Sequence, residues 1–200
     1  AAVLERGPVS VLEAICTEDV SDFVSALETA TRYNLLRLES GFGEGHLAMA
    51  HALIHRIVYE AISPVRRAAM HRTVAEVLSR GFQDADRSSI IAYHATLADR
   101  PDLAARALVQ GAVGSARVGA MKESAELADR ALELLPRLEP SAAQEVELDA
   151  RLVLARVRLP KDETHFVNRL TELGLAAFEA DRPEQARQAF HAASNLRWEA

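Results

Sequence analysis

The stretch Leu35–Leu78, LLRLESGFGEGHLAMAHALIHRIVYEAISPVRRAAMHRTVAEVL, decides the fold. It opens on the apolar pair Leu35-Leu36, expected in a strand, and continues into a cluster of Gly41, Gly43 and Gly45. Glycines so grouped supply the positive φ that a tight hairpin needs. His46-Leu47-Ala48-Met49 alternates with period two, as a half-buried strand does. Beyond His51 the period becomes 3.6: Ile54, Ile57, Val58, Ala61 and Ile62 share one face of a helix, and His55, Arg56 and Glu60 share the other. Ser63-Pro64 closes that helix and opens the next, because serine caps a free amide and proline suits the first helical position. Met70, Val74, Val77 and Leu78 continue with helical spacing.

Working outward, Val9 to Ile15 reads as a short helix entered through Pro8. Val20, Phe23, Val24, Leu27 and Ala30 form one stripe of a helix from about Asp19 to Tyr33, with Thr17 and Asp19 as candidate caps. Helix, two-stranded wing and further helices make the outline of a winged-helix module, expected over residues 1–80 and centred on 9–80.

The stretch Gly81-Phe82-Gln83-Asp84-Ala85-Asp86 breaks the pattern and marks a boundary, after which residues 81–200 are expected to be all helix. Ile90, Ile91, His94 and Leu97 make one stripe. Ala104, Ala107, Leu108, Gly111, Ala112 and Ser115 make a second, whose small residues imply close backbone approach and whose end is Gly119, a C-cap glycine. Ser124, Leu127, Ala128, Ala131, Leu132 and Leu135 make a third, stopped by Pro136. Ser141-x-x-Gln144 reads as a capping box for a helix from Ala142 to Val157, held by Val146, Ala150, Val153 and Val157. Lys161-Asp162-Glu163 reads as an exposed loop, and Phe166, Leu170, Leu173, Gly174 and Ala177 form the following stripe, separated from the final helix by Asp181-Arg182-Pro183.

Two segments fit a 34-residue tetratricopeptide template: Leu108, Ala112, Ser124 and Ala131, then Gly174, Ala177, Ala186, Phe190 and Ala193, with Trp198 in the usual proline place. The expected fold is therefore mainly α: a winged-helix module with a short β-hairpin, followed by a tetratricopeptide-like helical solenoid whose neighbouring repeats bury each other.

The run HALIHRIVYEAISPVRRAAMHRTVAEVL, with IIAYHATLADRPDLAARALVQGA after it, resembles the region that follows the nucleotide-binding domain in STAND-type signalling ATPases. It is most similar to the large LuxR-type transcriptional regulators of bacteria and to related cyclase- and kinase-fused sensors, over about residues 19–136. The resemblance implies a cytoplasmic regulatory fragment. In the parent chain an ATPase domain binds ATP or ADP, and an inducer or protein partner acts on the helical repeats. Met49-Ala50-His51-Ala52-Leu53 resembles the Met-His-Asp motif of NB-ARC proteins, whose histidine touches the β-phosphate of ADP; the likeness extends to His51 only, since Ala50 is inserted and Ala52 replaces the Asp. The alternatives for His51 are a helix-capping or buried, hydrogen-bonded histidine.

Composition narrows the function. An apolar content of 49% is ample for a core in 200 residues, and no run of eighteen apolar residues occurs. A lone Cys16 forms no internal disulfide, as expected in a reducing compartment. The first residue is not Met and the last lie in a helix-like run, so a piece of a longer protein is expected. No GxxxxGK[ST] loop and no nucleophile motif is present, so no enzyme activity is expected of the fragment itself. Gly111 and Gly114 lie on a helical period and read as packing residues; His94 reads as core. His51 and His55 have zinc-ligand spacing but lack the HExxH glutamate and a third ligand. Arg56, Arg66, Arg67 and Arg72 read as a solvated face or a contact to the ATPase domain. The other class, a DNA-binding winged helix with a helical scaffold, is disfavoured by a net charge of −6 and by a wing with Glu44 and no Lys or Arg. No direct DNA or membrane contact is expected.

Overall fold

The computed structural model describes residues 6–16, 19–39, 45–81, 85–157 and 162–198. Thr17, Gly41, Gly43, Glu44, Phe82 to Asp84, Lys161 and the side chains of Val20 and Trp198, all of which the sequence singles out, lie outside the described residues. Among those described, the chain is mainly helical with one small antiparallel sheet. It divides into two compact units, residues 1–82 with 97–99 and residues 83–96 with 100–200.

The first unit runs β1 (Arg6–Pro8), α1 (Val9–Ile15), α2 (Val20–Arg32), β2 (Leu36–Glu39), β3 (His46–Met49), α3 (Ala52–Ala61) and α4 (Pro64–Gly81). The hairpin strands are joined by one the sequence does not announce, giving the order β1-β3-β2 with both pairings antiparallel. Three residues including a Gly and a Pro carry no period to read, and proline is tolerated because β1 is an edge strand. Leu47 faces Gly7 on one side and Leu38 on the other. Gly45 does not supply positive φ as expected; its missing Cβ instead admits Leu38, whose Cδ1 would lie 3.3 Å away.

Asp19 caps α2 by accepting from the Ser21 amide at 3.0 Å, and Ser63 Oγ faces the Arg66 amide at 3.4 Å ahead of Pro64. Among the described residues the core of the unit is small: Val11, Leu12, Leu36, Leu47, Val74, Ala75, Leu78 and Ala98.

The second unit holds residues 85–96 of α5 (Ala85–Leu97), then α6 (Pro101–Arg117), α7 (Met121–Glu133), a 3-10 turn (Leu135–Arg137), α8 (Pro140–Val157), α9 (Glu163–Glu179) and α10 (Pro183–Trp198). On α5 the buried face is Ser88, Ile91, Ala92 and Ala95, together with His94, whereas Ile90 and Leu97 are exposed, so the predicted stripe is rotated by about one position. Gly119 takes φ +83° just past α6, the conformation glycine adopts without strain. Two corrections concern helix starts. Helix α8 begins at Pro140, with the Ala143 amide donating to the Glu139 carbonyl at 2.8 Å, so Ser141 lies inside the helix and forms no capping box. Proline at the first position, whose missing N–H costs nothing there, sets the boundary. Asp162 is the N-cap of α9, accepting from the His165 amide at 2.9 Å, rather than part of a loop.

Small residues govern the packing. Ala104, Ala105, Ala107, Leu108, Gly111 and Ala112 of α6 are buried, and a Cβ on Gly111 would sit 3.3 Å from Ser88 and 3.4 Å from Leu127. Gly111 is thus a contact of helices, as its period implied. Helices α9 and α10 approach more closely: a Cβ on Gly174 would lie 2.9 Å from Phe190 and 3.1 Å from Ala189.

Between α8 and α9 the buried Glu147 accepts from Arg151 Nε at 2.9 Å and from Arg169 Nε and Nη2 at 2.9 and 2.6 Å. The Arg169 hydrogen bonds, aided by Arg151 and opposed by burial, hold the Glu147 carboxyl below the usual carboxylate range. Glu145 makes a further ion-pair bridge, to Arg106 at 3.4 Å and Arg182 at 3.1 Å.

Gly174→Ala should destabilise the second unit by about 1 kcal/mol, because overpacking of ~1–3 kcal/mol outweighs the ~0.5–1 kcal/mol of helix preference that alanine gains. A raised denaturation midpoint would contradict the close approach. Glu147→Ala should cost about 2–3 kcal/mol in urea unfolding, since it removes the carboxylate that joins Arg151 and Arg169 and leaves Arg169 only its bond to Glu172 at 2.8 Å.

Candidate functional site

The junction between β3 and α3 carries the histidine that the sequence singles out. The Ala50 amide donates to the Leu35 carbonyl at 3.0 Å, which ties the end of β3 back to the start of β2. His51 follows in extended conformation, φ −143° and ψ 128°, as the N-cap of α3, and its carbonyl accepts the His55 amide at 3.0 Å. Its imidazole makes no capping hydrogen bond and is exposed. Both alternatives for His51, a side-chain cap and a buried partnered histidine, are therefore set aside. Helix α3 has no acidic residue in its first turn, so no carboxylate there complements the partial positive charge of the helix start.

The remainder of α3 is unusual for an apolar helix, because none of its residues is buried. Leu53 is 60% exposed, Ile57 58% and Val58 42%. Leu53, Ile57 and Ala61 recur every four residues, so the uncovered apolar groups lie on one stripe beginning two residues after His51. Exposed apolar residues scattered singly are ordinary; a continuous helical stripe is characteristic of a surface awaiting a partner.

Helix α3 is held to α4 by a cluster that sequence reading missed. The hydroxyl of Tyr59 and Nε2 of His71 are 2.9 Å apart, with the rings edge to face at 5.9 Å, and the Arg67 guanidinium lies over the Tyr59 ring at 4.9 Å. His71 is buried at 2% exposure, and burial, then the charge of Arg67, pushes its pKa down from the ordinary histidine value. The available signal was a Tyr and a His twelve apart across a Ser-Pro helix break, too generic to read as a pair.

The four arginines differ in their surroundings. Arg67 stacks on Tyr59, Arg56 sits 3.9 Å from Glu60, and Arg66 and Arg72 are exposed. No group of three or more His, Cys, Asp or Glu side chains placed to hold a metal occurs among the described residues, so His51 and His55 gain no third ligand there. No helix among the described residues is long and apolar enough to cross a membrane.

Comparison with protein-family models, with curated proteins and with solved structures gives no match to this chain.

Because burial, then the charge of Arg67, lowers the pKa of His71 in the folded state, the unfolded chain takes up the proton first on acidification, so the stability linked to this group is present above pH ~6.5 and lost as pH falls below it. Hydrogen-exchange protection of α4 should accordingly weaken as the pH is lowered through that value. His71→Gln, which keeps a partner for Tyr59 and does not titrate, should flatten that dependence; an equally steep variant would contradict it.

Proposed function

We propose that this chain is a regulatory fragment of a STAND-type signalling ATPase of the large LuxR-type transcriptional regulator class. In this reading the first unit is a winged-helix module that docks on an ATPase domain elsewhere in the parent chain. The second is a tetratricopeptide-like array that receives an inducer or a protein partner. The observation that carries it is the uncovered stripe of Leu53, Ile57 and Ala61 beginning beside the exposed, uncapped imidazole of His51. An apolar helix face ending in a hydrogen-bond donor fits a domain interface that has an anion at its edge. Support also comes from the antiparallel ribbon immediately ahead of His51 and from the paired helices α6–α7 and α9–α10 built on small residues.

The mechanism follows from differential binding. ADP on the ATPase domain, touched by His51, favours the docked arrangement, and a ligand on the repeats favours the undocked one, in which ATP exchanges in. Neither state needs chemistry from this chain. In the full-length protein, His51→Ala should speed ADP release roughly tenfold, as the loss of one charge-assisted hydrogen bond does. Ile57→Asp should do the same by disrupting the stripe. ADP retention unchanged by both substitutions would sink the docking reading, and tight, salt-sensitive binding of duplex DNA by this chain alone would favour a DNA-binding module instead.

A further inference from the structure

A second feature of the first unit is independent of the docking surface. Helix α2 packs on β2, and α1 packs on α4, leaving a groove of about 550 Å³ between α2 and α4. One wall is Phe23, Ala26, Leu27 and Ala30; the other is Arg66, Ala69, Met70 and Thr73. Each set follows i, i+3, i+4, i+7, so each wall is one face of its helix. Three of these eight lining residues, Ala26, Ala30 and Ala69, are alanines, whose single methyl groups leave space between the walls. Leu12 and Leu36 close the groove and are its buried lining residues, whereas Phe23, Leu27, Ala30 and Met70 remain half-exposed.

Its electrostatics are one-sided. Arg66 is the charged residue of the lining, it is exposed, and it forms no ion pair among the described residues. No carboxylate lines the groove among those residues. The Thr73 hydroxyl donates to the Ala69 carbonyl at 3.2 Å, leaving its oxygen lone pairs as the other polar function on that wall. A volume of this size lies in the range of small-molecule sites, which combine apolar walls with a few orienting polar groups.

From this geometry we infer that the groove binds an amphipathic acid: an unbranched aliphatic chain of about eight to twelve carbons, lying between the alanine-faced walls, with its carboxylate on the Arg66 guanidinium. The alkyl chain covers the apolar faces of α2 and α4, and the guanidinium supplies a planar pair of donors for the carboxylate. The inference does not depend on the ATPase reading.

The test is calorimetric titration of the 200-residue chain with n-decanoate and, for comparison, decyltrimethylammonium of equal chain length. Decanoate should bind saturably at one per chain, at least tenfold more tightly than the cation, and should slow maleimide alkylation of Cys16, which lines the groove. Arg66→Gln should abolish the preference for the acid while leaving circular dichroism unchanged; Ala30→Phe should block binding by filling the space. Equal binding of both amphiphiles, absence of saturable binding, or an unchanged preference in Arg66→Gln would each overturn the assignment. So would self-association that Ala30→Phe removes without any decanoate binding, since the occupant would then be a second copy of the chain.

Discussion

Helices rich in alanine and glycine bury surface only where their backbones come close, and that requirement shapes both units. In the second unit a Cβ on Gly174 would lie 2.9 Å from the Phe190 ring and 3.1 Å from the Ala189 methyl, closer than side-chain carbons ordinarily approach. There, Ala128, Ala131, Ala150, Ala177, Ala186, Ala189 and Ala193 are all buried, though each offers a single methyl group to the core. Such contacts contribute because they are many and tight, since dispersion falls off steeply with a gap of even half an ångström. Larger residues then sit at the places the small ones leave, with Leu148 and Leu170 fully enclosed.

In the first unit the same side chains are not brought into register. Tyr59 and His71 join α3 to α4 by one hydrogen bond and an edge-to-face ring contact, an attachment that needs no interdigitated apolar face. Helix α3 can therefore be fixed in place while keeping Leu53 and Ile57 outside. The cost of that exposure, about 25 cal/mol per Å² of apolar surface left in water, is carried by a unit whose core is already small. Polar attachment of an apolar helix separates two roles that usually coincide: what holds the element, and what it presents.

How much of this could be read in the sequence follows from the same distinction. Periodicity located α2, α3, α4 and α6 to α10 because each has a repeating apolar stripe, and Pro64, Gly119 and Pro183 mark turns whose backbone chemistry is local. The strand at Arg6–Pro8 was illegible because its reason for pairing lies far along the chain, in Leu47 and its neighbours. On α5, alanines and a serine occupy the buried face while Ile90 and Leu97 lie outside, so a search for large apolar residues picks the wrong side. His51 was found by position, but its exposure was a property of what surrounds it. Glu147 was hidden more completely: within a helix buried on several sides, a single glutamate reads as surface until Arg151 and Arg169 are seen to converge on it.

The charge distribution gives the uncovered surfaces of the first unit a common character. Helices α3 and α4 carry five arginines, at 56, 66, 67, 72 and 80, against Glu60 and Glu76, within a chain whose net charge is −6. The opening turn of α4 holds Arg66 and Arg67 and no acid, although a helix amino end disfavours cations by a few tenths to about 1 kcal/mol each. Arg67 offsets this by lying over Tyr59. Among the described residues Arg66 has no such compensation, and the His51 imidazole caps nothing at the amino end of α3. Two neighbouring helices thus begin without an acidic residue in their first turn, in a chain whose carboxylates are in excess overall. Apolar surface adjoins each of these amino ends, the Leu53 and Ile57 stripe at α3 and the alanine-faced groove at α4, so in both places a helix start without an acid lies beside apolar groups that the unit's own core does not cover.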